Sequence, residues 1–303
     1  MERATKSFIA ARKKEFLWLG LRILSLILAL FLGTAALPSL ALQEQQSNPA
    51  EWSRAKKEQF LREAKVLRQK RIGGGITGSI RATLGNEEGV HDAQIQLVAE
   101  FKPRFESARV TEFDFKDNWK FNVAAYILDQ PLGIDMVPVT VEREVDGQAA
   151  SVTWWIDDVL MTEKDRYFKK TNPPDIRKWN QQMYVVFVFD ELISNSDRNF
   201  GNLIITKNWD IWMIDHTRAF RTFHGLRNAK KLVRCDRRLL ENLRRLDRTT
   251  LQAKLGRYLS ALEIDGVLAR RDAIVNHFDK KTAREGADSV LYDYLVGRKA
   301  AHP

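Results

Sequence analysis

Apolar positions recur along this chain with two periods, and the period changes about midway. In the first half they fall on every second residue: Ile80, Ala82 and Leu84, then Ile95, Leu97 and Ala99. Side chains of a strand alternate between its two faces, so this spacing predicts strands over 80–84 and 91–101, and similar runs predict two more over 137–142 and 151–158. One helix interrupts them, marked by Phe121, Ala124, Ala125 and Leu128 at steps of one to three residues that keep to one face. In the second half an apolar run over 180–193 reads as a helix. Two short strands over 203–205 and 211–214 follow, joined by the turn Lys207-Asn208-Trp209-Asp210. Leu239, Leu240, Leu243 and Leu246, then Leu251, Leu255, Tyr258, Leu259 and Leu262, mark two amphipathic helices, with a third over 267–278. Strands first and helices afterwards make the chain α+β.

The start of the chain has another character. Arg3, Lys6, Arg12, Lys13, Lys14 and Arg22 stand against Glu2 and Glu15, and an uncharged run over 23–36 follows. Ser39 and Ala41 are small residues at the −3 and −1 positions of a signal-peptidase site, so 1–41 reads as a secretory signal. Counted over 16–42, with Arg22 snorkelling, the same stretch is long enough for an uncleaved membrane anchor. Both readings export the body of the protein, as a periplasmic or secreted chain or as a domain tethered outside the cytoplasm. Residues 42–71 then read as a basic amphipathic linker helix, with Trp52, Phe60, Ala64 and Leu67 at roughly helical spacing among eight basic and three acidic residues over 51–71. Such a helix is drawn to an anionic membrane surface; as a solvated linker it would instead pack its Trp and Phe on the domain.

Charge sharpens this picture. The 303 residues carry 49 basic and 39 acidic side chains, a net charge of +10, yet beyond Arg71 the counts are 35 and 33. Most of the positive charge lies beside the membrane segment, which argues against a nucleic-acid partner. A second concentration, eleven basic against three acidic residues, spans Arg218 to Arg248 and suggests either an acidic or phosphate-bearing substrate or a solvated helix face. A single cysteine, Cys235, excludes an intramolecular disulfide.

The candidate chemistry lies around the short hairpin. Asp197 precedes Asn202 by five residues, and Asn202 precedes Asp215 by thirteen, with the hairpin between the last two. Phosphoryl transfer needs a carboxylate beside the acceptor hydroxyl and oxygen ligands that hold Mg²⁺ against a triphosphate. A loop followed by a hairpin delivers all three: Asp197 to orient or deprotonate the acceptor, and Asn202 and Asp215 to hold metal. Five histidines with no H-x-H, H-x-x-H or H-E-x-x-H pair give a zinc hydrolase no local scaffold. No G-x-S-x-G supports a serine nucleophile, and Cys235 has no adjacent general base. His216 reads as a hydrogen-bonding partner that fixes the Asp215 loop.

The run Asp197-Arg198-Asn199-Phe200-Gly201-Asn202, with Ile214-Asp215-His216, resembles the atypical branch of the protein-kinase-like fold: phosphatidylinositol 3/4-kinases, HipA-type bacterial kinases and secretory-pathway kinases of the Golgi casein kinase group. The wider chain, with Phe121-Asn122-Val123-Ala124-Ala125-Tyr126 and Trp154-Trp155, is similar to bacterial exported proteins of that type, over roughly 72–278. The resemblance implies a two-lobed fold, a small mainly-β N-lobe over 72–160 and a larger helical C-lobe over 161–303. It implies ATP with Mg²⁺ or Mn²⁺ as cofactors. A glycine-rich turn holding Gly74, Gly75, Thr77 and Gly78 would cover the phosphates, Lys102 would meet the α- and β-phosphates, and adenine would stack near Trp155 at the hinge. Asn122 stands where the family has the glutamate partner of that lysine, with Glu112, Asp114 or Asp117 as substitutes. That departure keeps two alternatives open: a pseudokinase-type binding module, or another nucleotide-dependent transfer such as adenylylation.

Overall fold

The computed structural model describes residues 48–72, 78–106 and 111–295. The expected signal or anchor segment, Gly74, Gly75 and Thr77 lie outside the described residues. Among the described residues no helix is long and apolar enough to cross a membrane.

Helix α1 (Arg54–Glu63) is capped by the Ser53 hydroxyl, which accepts from the Lys56 amide. It ends well short of the expected 71, because Ala64 turns extended and Lys65–Arg71 forms a strand, β1. Tertiary pairing overrides helical propensity here: β1 is hydrogen-bonded antiparallel to β2 (Ile80–Asn86). Its basic side chains stay exposed on an edge strand, where they discourage pairing with other chains.

Strands β3 (Gly89–Gln96), β6 (Thr140–Val145) and β7 (Gln148–Trp154) complete an antiparallel sheet in the order β1-β2-β3-β7-β6. The β6–β7 turn is Asp146-Gly147, both at positive φ (50° and 78°), the primed geometry that matches strand twist. One sheet face is apolar: Ala82, Leu84, Ala93, Ile95, Val141, Ala150, Val152 and Trp154 bury themselves under Trp52, Phe60, Leu61 and Ala64. Alternation therefore places Thr83, Asp92, Gln94, Gln96, Thr140, Ser151 and Thr153 on the other face.

The strand expected over 91–101 is two strands. After Gln96 the chain leaves the sheet, and β4 (Ala99–Glu106) pairs with β5 (Thr111–Asn118) in a separate two-stranded ribbon. Helix α2 (Lys120–Leu132) follows, closed by Gly133 at φ 67° in a left-handed cap. Its Phe121, Ala124, Ala125 and Leu128 belong to the second core, shared with α4 (Ile176–Leu192), the β9 (Leu203–Thr206)–β10 (Ile211–Met213) hairpin and the C-terminal helices. Between the lobes, β8 (Val159–Thr162) and the short helix α3 (Glu163–Lys169) lead from sheet to helices. Helix α5 (Arg237–Arg245) occupies its leucine-rich stretch as expected, but the second expected helix is divided: α6 (Arg248–Leu255) stops before Gly256, Tyr258 and Leu259 lie in a turn, and the exposed Leu262 belongs to α7 (Ala261–Glu285), which starts well before the expected 267.

Candidate active site

The loop from Ser194 to Asn202 is braced by one arginine. Arg198 meets the Asp190 carboxylate through Nε at 3.0 Å, and its Nη1 donates to the carbonyls of Asn202 (3.0 Å) and Ile214 (2.7 Å). The Ile214 amide donates to the Asn202 carbonyl at 3.1 Å, so the hairpin closes with Asn202 and Asp215 side by side in the fold. Asn202 Nδ2 reaches back to the Asp197 carbonyl at 3.4 Å. The three residues read from spacing are thus brought together. Asp197 is half-exposed, with its carboxylate 3.7 Å from Arg218 Nη1.

Asp215 sits at φ 56°. Its Oδ1 accepts from Gln96 Nε2 (3.3 Å) and Thr217 Oγ1 (3.1 Å). Neither Asp215 Oδ2 nor Asn202 Oδ1 accepts a hydrogen bond from any described residue. Among the described residues no group of three or more His, Cys, Asp or Glu side chains converges on one point. A divalent metal here would be held by these two protein oxygens and completed by ligand and water oxygens, the manner in which Mg²⁺ sits in phosphoryl-transfer sites. The donor set fits that ion.

Lys102 forms no ion pair or hydrogen bond with Asp197, Asn202 or Asp215, though it shares the Phe105–Phe115 rings with Arg218. It lies on the ribbon, half-exposed, with Nζ 3.0 Å from Glu100 and over the rings of Phe105 and Phe115. Beside Asp215 stands Gln96, and its partner on α2 is Asn122, which donates through Nδ2 to Gln96 Oε1 (2.5 Å) and Ser151 Oγ (3.1 Å). Asn122 Oδ1 accepts from the His216 amide at 2.8 Å. A neutral amide pair therefore occupies the strand-to-helix junction. It fills the space behind Asp215, where the remaining void is about 10 Å³.

His216 does fix this loop, through its backbone amide and not its ring. Burial, reinforced by Arg198, holds the imidazole well below its usual value and so neutral, and the ring packs edge-on against Phe189. Asp117, on the ribbon, is buried with Oδ1 lacking a hydrogen-bond partner. Burial raises its carboxyl above the usual range, against the lowering pull of Thr217 and Arg218, with Asp215 and Glu100 adding to the rise.

Trp155 follows β7 and lies under the Arg81 guanidinium at 4.3 Å, while Arg81 is paired to Asp92 at 2.6 Å. Gly78 sits at φ 63° with no atom within 4 Å of where a Cβ would stand. A cavity of about 500 Å³ opens between α1 and the hinge, walled by Trp52, Tyr126, Trp154 and Trp212, and none of the expected site residues lines it.

The basic stretch from Arg218 to Arg248 does not form one surface. Arg234 donates to the Asp288 and Leu291 carbonyls, Arg237 pairs with Asp288, Arg244 with Asp279 and Arg248 with Asp265. These contacts serve the helical lobe. Arg218 and Arg221 instead contact the described part of the ribbon.

Sequence reasoning missed Gln96 and Arg198 as parts of the site, and marked Arg218 only as one end of the basic stretch. Arg198 carried a signal in the Asp-Arg pair. Gln94 and Gln96, two amides in alternation at the end of a strand, were a signal that a polar face met something polar.

The strand order, the hairpin that follows the 194–202 loop and the left-handed aspartate after it define an atypical protein-kinase-like fold. Solved structures share it. Hydra Fam20 with sugar aligns with a TM-score of 0.62 at 12% identity, covering 79% of this chain and 92% of that one. The Golgi casein kinase aligns at 0.56 and 15% identity over 79% of each chain, and the same kinase with Mn/ADP bound at 0.57 and 15% over 80% of each. No protein-family model matches the sequence, and no curated protein matches it. Identities this low carry the fold and not the substrate.

Proposed function

We propose that this chain is an ATP·Mg²⁺-dependent phosphotransferase, exported or tethered to a membrane by its N-terminal segment. The observation that carries the reading is the pair of oxygens, Asn202 Oδ1 and Asp215 Oδ2, left without hydrogen bonds on a loop that Arg198 holds rigid next to the half-exposed Asp197. The metal supplies charge neutralisation at the β- and γ-phosphates when bound. Asp197 orients the acceptor hydroxyl and takes its proton as the acceptor oxygen bonds to the γ-phosphorus and ADP leaves. Nucleotide and Mn²⁺ use by the Golgi casein kinase, seen in its Mn/ADP complex, supports the cofactor assignment.

One observation favours a second reading. The Gln96–Asn122 amide pair stands where kinase folds hold a lysine–glutamate ion pair, which suits a module that binds a ligand without turnover, or a different nucleotidyl transfer.

Thermal unfolding of the full chain with millimolar ATP and Mg²⁺ or Mn²⁺ tests both. Binding at a hundredfold excess over Kd stabilises the folded state by about 2.7 kcal/mol, or roughly 4–5 °C for a chain of this size. The expected result is a metal-dependent rise that Asp215→Ala abolishes, and γ-phosphoryl transfer that Asp197→Ala abolishes while the rise persists. A rise with no transfer to any acceptor would favour the binding module, and no rise would end the nucleotide reading.

A further inference from the structure

The amide pair leaves a charge unanswered. A transferring phosphoryl group gathers negative charge on its oxygens, and enzymes meet it with metal and with a fixed cation. Gln96 supplies none at the strand end, and α2 lies packed in the helical core through Phe121, Ala124 and Leu128, so no cation is delivered by a moving helix.

Among the described residues the neighbouring cations have other partners. Arg198 spends its donors on Asp190 and two carbonyls. Arg81 is held by Asp92 and Trp155, Lys102 by Glu100, and Lys116 by Glu263 at 2.8 Å. Arg221 donates to the Asp114 carbonyl and to Ser196 Oγ.

Arg218 shares the Phe105–Phe115 stack with Lys102, and Phe115 with Arg221, but differs from them in the length of its polar contacts. Its guanidinium lies over two stacked rings, 4.6 Å from the Phe115 centroid and 5.9 Å from that of Phe105. Its carboxylate contacts are long, 3.5 Å to Asp117 and 3.7 Å to Asp197. Its Nε is buried without a hydrogen-bond partner, and the side chain as a whole keeps 24% of its surface exposed. The aromatic stack fixes the plane of the fork, while the long contacts leave its N–H groups available to a stronger acceptor.

Resting on the phosphotransfer reading above, the geometry points to Arg218 as the cation that meets the transferred phosphoryl group. It stands three residues after Asp215 in the sequence and within 3.7 Å of the carboxylate that receives the acceptor proton. Charge neutralisation therefore comes from the segment that follows the metal-binding aspartate, steadied by the Phe105–Phe115 stack of the ribbon, and not from the N-lobe sheet. A planar bidentate donor suits a phosphoryl oxygen pair better than an ammonium does.

The test is calorimetric titration of the full chain with Mg·AMP-PNP and with Mg·ADP, for the wild type, Arg218→Gln and Arg218→Lys. Arg245→Gln, an exposed residue of the same basic stretch, serves as control. The wild type is expected to prefer the triphosphate analogue by about tenfold or more. Arg218→Gln should abolish that preference while ADP affinity stays within about threefold, Arg218→Lys should restore part of it, and Arg245→Gln should leave it intact. Transfer should fall by about a hundredfold or more in kcat for Arg218→Gln, with KM for nucleotide changed less.

A triphosphate preference that survives Arg218→Gln, or that Arg245→Gln erodes equally, overturns the assignment and leaves the phosphotransfer reading standing. Failure of the wild type to bind either nucleotide ends both. Should Arg218→Gln not fold, the ¹⁵N signal of Arg218 Nε in the wild type, assigned by its loss in Arg218→Lys, decides the matter. It should move with Mg·AMP-PNP and not with Mg·ADP, and an unmoved signal overturns the proposal.

Discussion

Asp215 occupies the left-handed region at φ 56°, a conformation that costs a non-glycine residue on the order of 1 kcal/mol or more and persists only where neighbours fix it. Gln96 and Thr217 on Oδ1, and the Asn122 hold on the next amide, are those neighbours. A fully buried aspartate, Asp129, shapes the route into the N-lobe. Asp129 accepts from the amides of Asp135 (2.6 Å) and Val137 (3.2 Å), so it folds the turn between α2 and β6 around its carboxyl. Burial, with Asp135 adding to it, pushes this carboxyl up to about 7. The folded-state value lies above the unfolded one, so the associated stability is fully present below about pH 4 and is lost as pH rises through about 7. The urea midpoint of the wild type should therefore decline between pH 5 and pH 8, and Asp129→Asn should flatten that decline; an unchanged slope in the variant would place the titration elsewhere. The spacing of Asp197, Asn202 and Asp215 was legible at this scale because a loop and hairpin fix them locally. Gln96 lies more than a hundred residues from Asp215 in the sequence, and no local pattern joins them.

Among the elements, α1 and β1 depart furthest from what periodicity suggests. The basic residues, Trp52 and Phe60 read as one amphipathic helix, yet the apolar ones bury against Trp154 while the chain beyond Ala64 becomes an edge strand. Phe60 is 1% exposed in the sheet core. Phe60→Ala should destabilise the protein by about 3–5 kcal/mol, read from denaturant midpoints at unchanged slope; a change below about 0.5 kcal/mol would show a solvated linker instead. The ribbon β4–β5 was hidden for a related reason. Its Phe101 and Phe113 remain exposed at 60% and 71%, so no buried alternation announces it. The helices α5 to α7 were legible because a leucine stripe at helical spacing has few other uses.

Over the described residues as a whole, two hydrophobic cores meet across few but specific bonds. Gln96 reaches Asp215, the Asn118 amide donates to the Thr217 carbonyl, and Lys116 pairs with Glu263 of α7. Arg270, fully buried, donates to the carbonyls of Leu192, Arg221 and Phe223, which ties the end of α4 to the segment after Asp215. Residues 47–303 form one compact unit. Calorimetry of the full chain should accordingly show one cooperative transition for both lobes, with the calorimetric and van't Hoff enthalpies equal. Two separated transitions would mean that these bonds do not couple the cores.

The sequence by itself determined the fold class, the leucine-lined helices and the three oxygen-bearing residues at the hairpin, because each depends on periodicity or on spacing within some twenty residues. Only the tertiary structure decided which polar group stands behind Asp215, where Lys102 goes and which arginine of the basic stretch faces the site. Those are contacts between distant segments, and a sheet register that puts Gln96 opposite Ser151 exists only once the strands have paired.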